Sequence, residues 1–259
     1  MRISAMVLVG ENEPYLKYCI ESIKDLVDEI VFLLSPTVQG NFKSEYKDEK
    51  FKFIWQTAEN KYETDFASWR NQALKECTGD YVLWLDADEI LAKPNGENCS
   101  RELLEQILSN NKDIYHFFTF HFLYDYRTID GRNDGLHFSQ TRLFRNDGNN
   151  RFEGKIHEYL TRPEAEEEEP NKYTRVWCRP TQNFGVVNNP CIWHFGGCKG
   201  MEDVRKKYAM QRDIKGNPFA EEFKRYKDND EYCSHHPLFI KVRPLISYQG
   251  PLPKVMKLW

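Results

Sequence analysis

The sequence predicts an α/β fold in which a mainly parallel sheet is flanked by helices. Two patterns carry this prediction: short apolar runs typical of buried strands, and intervening stretches whose apolar residues recur at helical spacing. A chain of 259 residues, 40% of them hydrophobic, can form one large domain with an appendage. The longest aliphatic or aromatic runs, such as residues 30–34, are far shorter than the roughly 20 residues that a membrane span needs.

Five apolar runs give the strands, and the stretches between them give the helices. The strands are predicted at 3–9, 29–34, 51–55, 81–85 and 114–124. The helices are predicted at 14–26, 65–77 and 101–108. In a parallel sheet of this Rossmann type, ligands bind at the carboxyl ends of the strands. Chemistry is therefore expected just after Val9, Leu34, Trp55 and Leu85.

Charge and cysteine content narrow the classes of function. The net charge of −4 argues against a dedicated polyanion binder. Residues 199–259 hold 13 basic and 8 acidic residues, which predicts a basic, helical or irregular extension. This extension is either a solvated surface or a contact for an anionic partner. Seven cysteines without a C-x-x-C pair, and a first segment without a secretory signal pattern, favour reduced thiols in the cytoplasm.

Asp86 and Asp88 form the strongest local motif. They directly follow the predicted strand 81–85, so both carboxylates are expected at the ligand edge of the sheet. Carboxylates so placed can share a hard divalent cation, Mg²⁺ or Mn²⁺, whose other positions stay open for phosphate oxygens. The alternative is that these acids cap a following helix. A second acid-x-acid pattern at 228–230 has no strand before it and is interpreted as surface.

Four segments carry a resemblance to a known family. Residues 65–74 contain an acid-Phe-Ala helix with Arg-Asn, and residues 79–89 contain a strand that ends in Asp-x-Asp. Residues 3–13 end in Asn-Glu after the first strand, and residues 152–158 contain Gly-Lys-Ile-His-Glu. In this order they resemble the family 2 glycosyltransferases, which have the GT-A nucleotide-sugar fold. The last segment resembles a Gly-x-Ile-His-Glu signature in one branch of that family.

The resemblance implies a layout for the chain. A GT-A-like catalytic domain would cover residues 1–198, with a nucleotide-sugar half at about 1–95 and an acceptor half at about 96–198. The basic extension 199–259 would follow it.

The resemblance also implies roles for individual residues. Asp88 would bind the metal ion, and Asp86 would contact the ribose or share that metal. The residues implied to bind the nucleotide sugar are Glu13, Asp65, Arg70 and Asp86. A guanidinium matches phosphate oxygens on general grounds too. The alternative for Arg70 is a surface arginine paired with Asp65 or Glu76.

Glu158 is the candidate catalytic base. Displacement at an anomeric carbon needs a carboxylate that takes the proton of the acceptor hydroxyl. Gly154 permits a close backbone approach, and Glu158 follows in a predicted loop or helix start. Glu153 is the competing carboxylate, and an exposed acid ahead of a glutamate-rich segment is the non-catalytic alternative. His157, on the acceptor side, would orient this carboxylate or simply be packed.

His194 is a further candidate metal ligand. It lies in an apolar run that ends in Gly196-Gly197, and the resemblance implies an imidazole beside the diphosphate. An imidazole would suit Mn²⁺ better than Mg²⁺, and a packed core histidine is the alternative. The aromatic and basic segment 116–145, including Arg142, is expected on the acceptor side. Its alternating phenylalanines favour an ordinary core strand.

Together these features predict a metal-dependent inverting glycosyltransferase that uses Mn²⁺ or Mg²⁺. A UDP-sugar is the expected donor, although the second strand ends at Leu34-Ser35 without the family's usual aspartate for the uracil. The expected acceptor is a glycan or a lipopolysaccharide-type sugar. Two alternatives are glycosylation of a modified base in DNA and a non-catalytic module that binds sugar nucleotides or nucleic acid. A nucleotidyl- or phosphoryl-transferring enzyme is a third, but the chain lacks G-x-x-x-x-G-K-[ST].

Overall fold

The structure is a computed structural model that describes residues 1–36, 38, 46–56, 65–123, 125–130, 137–155, 158–161, 183–199 and 245–257. The strands in this part of the chain are β1 Ile3–Val9, β2 Glu29–Leu34, β3 Phe51–Trp55, β4 Tyr81–Asp86, β5 Glu89–Ala92, β6 Ile114–Leu123, β7 Thr128–Asp130, β8 His137–Arg145, β9 Arg151–Glu153, β10 Tyr159–Thr161, β11 Phe184–Gly197 and β12 Leu245–Ser247. The helices are α1 Leu16–Ile23, α2 Phe66–Lys75, α3 Arg101–Leu108 and a short 3-10 helix, Lys254–Lys257.

Four parallel strands in the order β4-β1-β2-β3 form the core of the main sheet. β8 extends this core by antiparallel pairing with β4 and β6, and β11 runs parallel to β6 and antiparallel to β5. β9 and β10 form a separate two-stranded sheet. The predicted α/β class is confirmed, with a parallel core inside a mixed sheet.

Helices cover both faces of the parallel core, which explains why its strands are apolar at nearly every position. On one face, Val7 of β1 packs in a cluster with Ile20 of α1 and Leu104 of α3. On the other face, Met6 of β1 packs in a cluster with Ala73 of α2. Alternate residues of one strand thus belong to opposite layers, as the two-residue period of a strand requires. The predicted helices and strands in this half of the chain are confirmed.

A third apolar cluster joins residues 245–257 to the main sheet. β12 pairs antiparallel with β7, and Val255 is buried among residues of β6 and β11 that include Phe122 and Trp193. Of the alternating phenylalanines predicted to form a core strand, Phe122 is fully buried, and Phe118 and Phe120 are partly buried against the same cluster. The described end of the predicted extension therefore packs on the main sheet. The segments 164–169 and 228–230, considered above, lie outside the described residues.

Glu29 at the start of β2 ties the parallel core together on the side away from the ligand edge. Its carboxylate accepts hydrogen bonds from Ser4 Oγ at 2.5 Å and Thr78 Oγ1 at 2.9 Å, and lies 2.6 Å from Lys52 Nζ. Burial would raise the pKa of Glu29, but these partners outweigh it and lower the pKa to about 2. The group is therefore charged in the folded protein and stabilises it.

Within the described part of the chain, no helix is long and apolar enough to cross a membrane.

Candidate active site

The carboxyl ends of β1 and β4 bring the predicted acids to one edge of the sheet. Asp86 is the last residue of β4, and Asp88 lies in the turn that leads into β5. Because a strand follows the turn, the interpretation of these acids as caps of a following helix is wrong. Glu13 follows β1, the strand that lies next to β4. Two groups of side chains meet at this edge.

The first group, called here the lysine cluster, consists of Glu13, Asp88, His194 and Lys199. Lys199 Nζ lies 2.5 Å from Glu13 Oε2 and 2.9 Å from Asp88 Oδ2. His194 Nε2 lies 3.5 Å from the other carboxylate oxygen, Asp88 Oδ1. The Lys199 side chain is only 14% exposed. Burial would lower the pKa of the Lys199 ammonium, but the charges of Asp88 and Glu13 outweigh it and raise the pKa.

His194 is oriented by a second histidine. Its Nδ1 lies 2.9 Å from Nδ1 of His121, at hydrogen-bond distance. With the proton on His194 Nδ1, the lone pair of Nε2 points towards the space beside Asp88, as a metal ligand requires. This contact separates His194 from a histidine packed only by apolar neighbours.

The lysine cluster fits a divalent cation as a partial site. Two ligands with metal bonds of about 2.1 Å can span the 3.5 Å between Asp88 Oδ1 and His194 Nε2. Gly196 leaves this space open, because a Cβ there would lie 2.7 Å from His194 Nε2 and 2.9 Å from Asp88 Oδ2. In the described residues, no group of three or more His, Cys, Asp or Glu side chains is arranged to hold a metal. The other atoms bound to the metal would have to be oxygens of a bound molecule, as is usual for Mg²⁺ and Mn²⁺.

The second group, called here the arginine cluster, consists of Arg70, Asp86, Glu158 and Trp84. Arg70 donates from Nε to Glu158 Oε1 at 2.5 Å and from Nη2 to Asp86 Oδ1 at 2.6 Å. Its guanidinium carbon lies 4.2 Å from the centre of the Trp84 ring. Arg70 is 3% exposed. The interpretation of Arg70 as a surface residue paired with Asp65 or Glu76 is therefore wrong.

The charges in the arginine cluster reinforce one another. Burial would lower the pKa of Arg70, but Glu158 and Asp86 outweigh it and raise the pKa. Burial would raise the pKa of Asp86, but the Arg70 charge outweighs it and holds the pKa below its usual range. Arg70 Nη1 and Trp84 Nε1 are buried donors for which the described residues provide no hydrogen-bond partner. Unpaired buried donors are costly, and both of these belong to the arginine cluster.

Arg142 lies behind the arginine cluster rather than at an open surface. Its Nη2 donates to Glu89 Oε1 at 2.6 Å, and its guanidinium carbon lies 4.0 Å from the centre of the Trp84 ring. Arg142 and Glu89 are both almost fully buried. Burial raises the pKa of Glu89, and the positive charge of Arg142 opposes this shift. The placement favours a supporting role for Arg142, and its contact with an acceptor stays a prediction.

The other predicted site residues have separate positions. Asp65 is the N-cap of α2 and accepts a hydrogen bond from the Ser68 backbone N–H at 2.9 Å, so its nucleoside contact stays a prediction. Glu158 is only 9% exposed and leads into β10, so it is neither an exposed acid nor a helix start. Glu153 ends β9 and pairs with Arg151 at 2.6 Å. His157 lies outside the described residues.

The sequence interpretation missed three residues that contact the site. Lys199 was assigned to the basic extension, and no local pattern distinguishes it from other lysines. His121 and Glu89 have weak signals: each lies on or next to an apolar run, where a buried polar residue needs a partner. Their partners, His194 and Arg142, are 73 and 53 residues away in sequence.

An α/β sheet with acids, an imidazole and a buried arginine near the carboxyl ends of its strands resembles the sites at which α/β proteins bind phosphate-bearing ligands. The sequence profile described as Glycosyl transferase family 2 matches residues 5–162, more than half of the chain. The chain therefore belongs to glycosyl transferase family 2, a family of sugar-transferring enzymes, and the predicted family and enzyme class are confirmed.

Two named relatives match most of this chain, and one of them is a glycosyltransferase. The SPbeta prophage-derived glycosyltransferase SunS of Bacillus subtilis is 24% identical over 208 residues, which are 79% of this chain and 42% of SunS. A TPR repeat-containing protein of Synechococcus elongatus is 29% identical over 214 residues, 82% of this chain and 46% of its own length. The chain thus spans less than half the length of these relatives.

Solved structures that match part of the chain include S. aureus TarS residues 1–349 in complex with UDP-GlcNAc. That structure has a TM-score of 0.48 and 13% identity, and the match covers 83% of this chain and 68% of TarS. Glucosyl-3-phosphoglycerate synthase from Mycobacterium tuberculosis, solved with Mn²⁺ and UDP, has a TM-score of 0.34 and 17% identity. This match covers 46% of this chain and 43% of that enzyme.

Proposed function

We propose that this chain is a metal-dependent, inverting glycosyltransferase that moves a sugar from a UDP-sugar to an acceptor hydroxyl. The observation that carries the proposal is the division of the Asp86-Ala87-Asp88 turn between the two clusters. Asp88 faces Lys199 and His194, whereas Asp86 faces Arg70 and, through it, Glu158. The turn therefore connects two sites. One is suited to a diphosphate and its cation, and in the other the Glu158 carboxylate is suited to proton transfer.

The donor side of the reaction belongs to the lysine cluster. Asp88 and His194 would hold Mn²⁺ or Mg²⁺, which when bound would neutralise the leaving diphosphate as a Lewis acid. Asp86 keeps 38% of its side chain exposed and can contact the ribose. Glu13 belongs to the lysine cluster, and Asp65, the N-cap of α2, is proposed as a nucleoside contact from the family resemblance. Arg70, 2.6 Å from Asp86, adds a positive charge beside this donor site.

The acceptor side belongs to Glu158. Its carboxylate is held by Arg70 Nε at one oxygen, Oε1, which leaves Oε2 able to accept the proton of an acceptor hydroxyl. Direct attack of that hydroxyl on the anomeric carbon breaks the bond to the diphosphate and inverts the configuration. Arg70 positions the base and couples it to Asp86, so the base and donor site are held in one fixed geometry.

The nucleobase of the donor and the nature of the acceptor are proposed from the family resemblance. β2 ends at Leu34 with no acid, so uridine is proposed from the family resemblance rather than from a partner for the base. A glycan or lipopolysaccharide-type acceptor is proposed on the same ground. The basic residues of 199–259 that motivated a DNA acceptor lie mostly outside the described residues, so DNA enters the experiment as a competing acceptor.

We place the reaction in the reducing environment of the cytoplasm. The cysteines in the described part of the chain are free thiols, and four of the five are buried. Burial raises the pKa of Cys77 to about 12 and that of Cys99 to about 11, which keeps these thiols protonated and unreactive.

Turnover of labelled nucleotide sugars tests the proposal. The purified chain is incubated with UDP-glucose, UDP-GlcNAc or GDP-mannose, with Mn²⁺, Mg²⁺ or EDTA, and with oligosaccharide or hydroxymethylated DNA as acceptor. Transfer from a UDP-sugar that requires metal, and that Asp88→Ala abolishes without unfolding the chain, is expected. Asp147→Ala is the matched control, because Asp147 accepts a hydrogen bond from the Asn149 backbone N–H at 3.0 Å and follows Arg145, which pairs with Tyr81 at the opposite end of β4 from Asp86. Unchanged turnover in Asp88→Ala with excess metal would refute the site, and UDP binding without turnover would favour a non-catalytic module.

A further inference from the structure

The position of Lys199 leads to an inference about how the donor site binds its ligands, and this inference rests on the proposed function. Lys199 Nζ contacts both Glu13 and Asp88, and the side chain is largely buried. The cationic group thus lies on the very carboxylate, Asp88, that is proposed to hold the metal. A divalent cation and the ammonium compete for the same negative charge.

Hydrogen bonds fix the backbone next to Lys199, so its position differs from that of a flexible surface side chain. The backbone N–H of Phe195 donates to the Asp88 carbonyl at 2.8 Å, and the N–H of Cys198 donates to the Phe195 carbonyl at 2.8 Å. Tyr15 Oη donates to the Cys198 carbonyl at 3.2 Å. These bonds fix the turn just before Lys199 against the Asp88 turn and α1.

Two glycines allow the turn to approach so closely. A Cβ at Gly196 would lie 2.9 Å from Asp88 Oδ2, and a Cβ at Gly197 would lie 2.7 Å from the Phe122 carbonyl. Any larger residue would move the chain away from the acids, since such contacts are far inside normal packing distance. The local sequence therefore serves to bring an ammonium onto Asp88.

Charge balance shows what this ammonium does. Glu13, Asp88 and Lys199 together carry one net negative charge. A divalent cation alone would turn this into a net positive charge and would place a second cation on Asp88. A nucleotide-sugar diphosphate alone, with a negative charge on each phosphate, would add to the negative charge. The two ligands together restore the original balance, and the displaced ammonium gains the diphosphate oxygens as partners.

We propose that Lys199 is a built-in cation of the donor site, which disfavours metal alone and makes the divalent cation and the nucleotide diphosphate bind together. In the absence of ligands it neutralises Glu13 and Asp88. When both ligands bind, it leaves Asp88 and contacts the diphosphate. Lys199 thereby sets the thermodynamic coupling between the two ligands, which must be the same whichever ligand is measured.

Binding titrations on the whole chain test this proposal without reference to turnover. Mn²⁺ affinity is measured from the electron paramagnetic resonance signal of free Mn²⁺, with and without UDP, and UDP affinity is measured by calorimetry with and without Mn²⁺. In wild type, Mn²⁺ alone should bind weakly and UDP should strengthen it. In Lys199→Met, Mn²⁺ alone should bind about tenfold more tightly, and the coupling factor should fall by about tenfold or more.

Two further variants control for charge and for folding. Lys199→Arg keeps the positive charge and should retain weak binding of Mn²⁺ alone. Lys199→Gln removes the charge but can still donate to both carboxylates, so it should reproduce Lys199→Met even if the methionine variant is poorly folded. Lys24→Met removes an ion pair of similar length, 2.9 Å to Glu21 at the far end of α1, and should match wild type.

The outcomes separate the two proposals. If wild type binds UDP with Mn²⁺ but the neutral variants show unchanged Mn²⁺ affinity and coupling, the role of Lys199 is overturned and the proposed function stands. If wild type binds neither UDP nor Mn²⁺, the proposed function fails and the role of Lys199 fails with it. Tighter Mn²⁺ binding in both neutral variants, with coupling lost, supports the proposal.

Discussion

Replacement of Glu158 by glutamine separates catalysis from folding at a single site. In the wild-type protein, Arg70 Nε lies 2.5 Å from Glu158 Oε1. Glutamine keeps the shape of the side chain and can still accept a hydrogen bond from Arg70 Nε. It cannot hold a proton at neutral pH. If Glu158 is the base, transfer should fall by about 10²-fold or more, the usual effect of removing a positioned base. The turnover number should fall, and the KM for the donor should change little.

The expected effect on stability is much smaller. A hydrogen bond to a charged group contributes about 1.5–3 kcal/mol and a neutral one about 0.5–1.5 kcal/mol. Since Arg70 keeps its second carboxylate, Asp86, at 2.6 Å, the variant should lose only about 1 kcal/mol of unfolding free energy. For a domain of this size, the melting temperature should fall by about 3 °C.

Two assays on the same preparation check this reasoning. Single-turnover transfer of labelled sugar reports the chemical step, and melting curves with and without UDP and Mn²⁺ report folding and ligand binding. Glu153→Gln is the control, because Glu153 pairs with Arg151 and is 30% exposed. Normal turnover in Glu158→Gln would refute the assignment of the base. An inactive variant that also fails to bind UDP would show that Glu158 shapes the site instead.

Three further changes have defined outcomes. Arg70→Lys replaces two separate donors, Nε and Nη2, by a single ammonium nitrogen on a shorter side chain and so weakens the bonds to Asp86 and Glu158; the unfolding free energy measured in urea should fall by about 3 kcal/mol and transfer should be lost. Glu29→Gln should cost about 3 kcal/mol at pH 7, because the pKa of Glu29 lies at about 2 instead of about 4.5. This contribution is fully present above the unfolded pKa and is lost as pH falls through the folded pKa, so the two proteins should converge in urea melts near pH 2. His194→Ala should clearly weaken Mn²⁺ binding, measured by calorimetry in the presence of UDP, and should lower the melting temperature only slightly.

Each of these predictions has an outcome that would contradict it. Arg70→Lys with wild-type stability would show that the buried carboxylates do not depend on the guanidinium. A stability loss in Glu29→Gln that persists at low pH would show that packing rather than charge is responsible. A large fall in the melting temperature of His194→Ala with intact Mn²⁺ affinity would show that His194 is a core residue and not a metal ligand.

The sequence by itself determined the parallel core and the location of the ligand edge. β2 and β3 match the predicted bounds, because buried parallel strands are continuous apolar runs that need no information from elsewhere in the chain. The helix α2 is likewise visible from its apolar spacing, whereas the role of Asp65 as its N-cap is seen in the structure. The acids after β4 were located by the same local logic. The antiparallel strand β8 was not predicted, since its partners β4 and β6 are fixed only by the folded sheet.

Only the tertiary structure decided which side chains meet at that edge. Arg70 pairs with Glu158, 88 residues away, and Lys199 pairs with Glu13, 186 residues away. Contacts over such separations have no period and no spacing in the sequence, because they depend on which strands become neighbours. The sequence around a single acid or lysine also looks the same whether the side chain lies on the surface or in a buried site. Burial and partner, which set the charge state and hence the chemistry of each group, exist only once the sheet has formed.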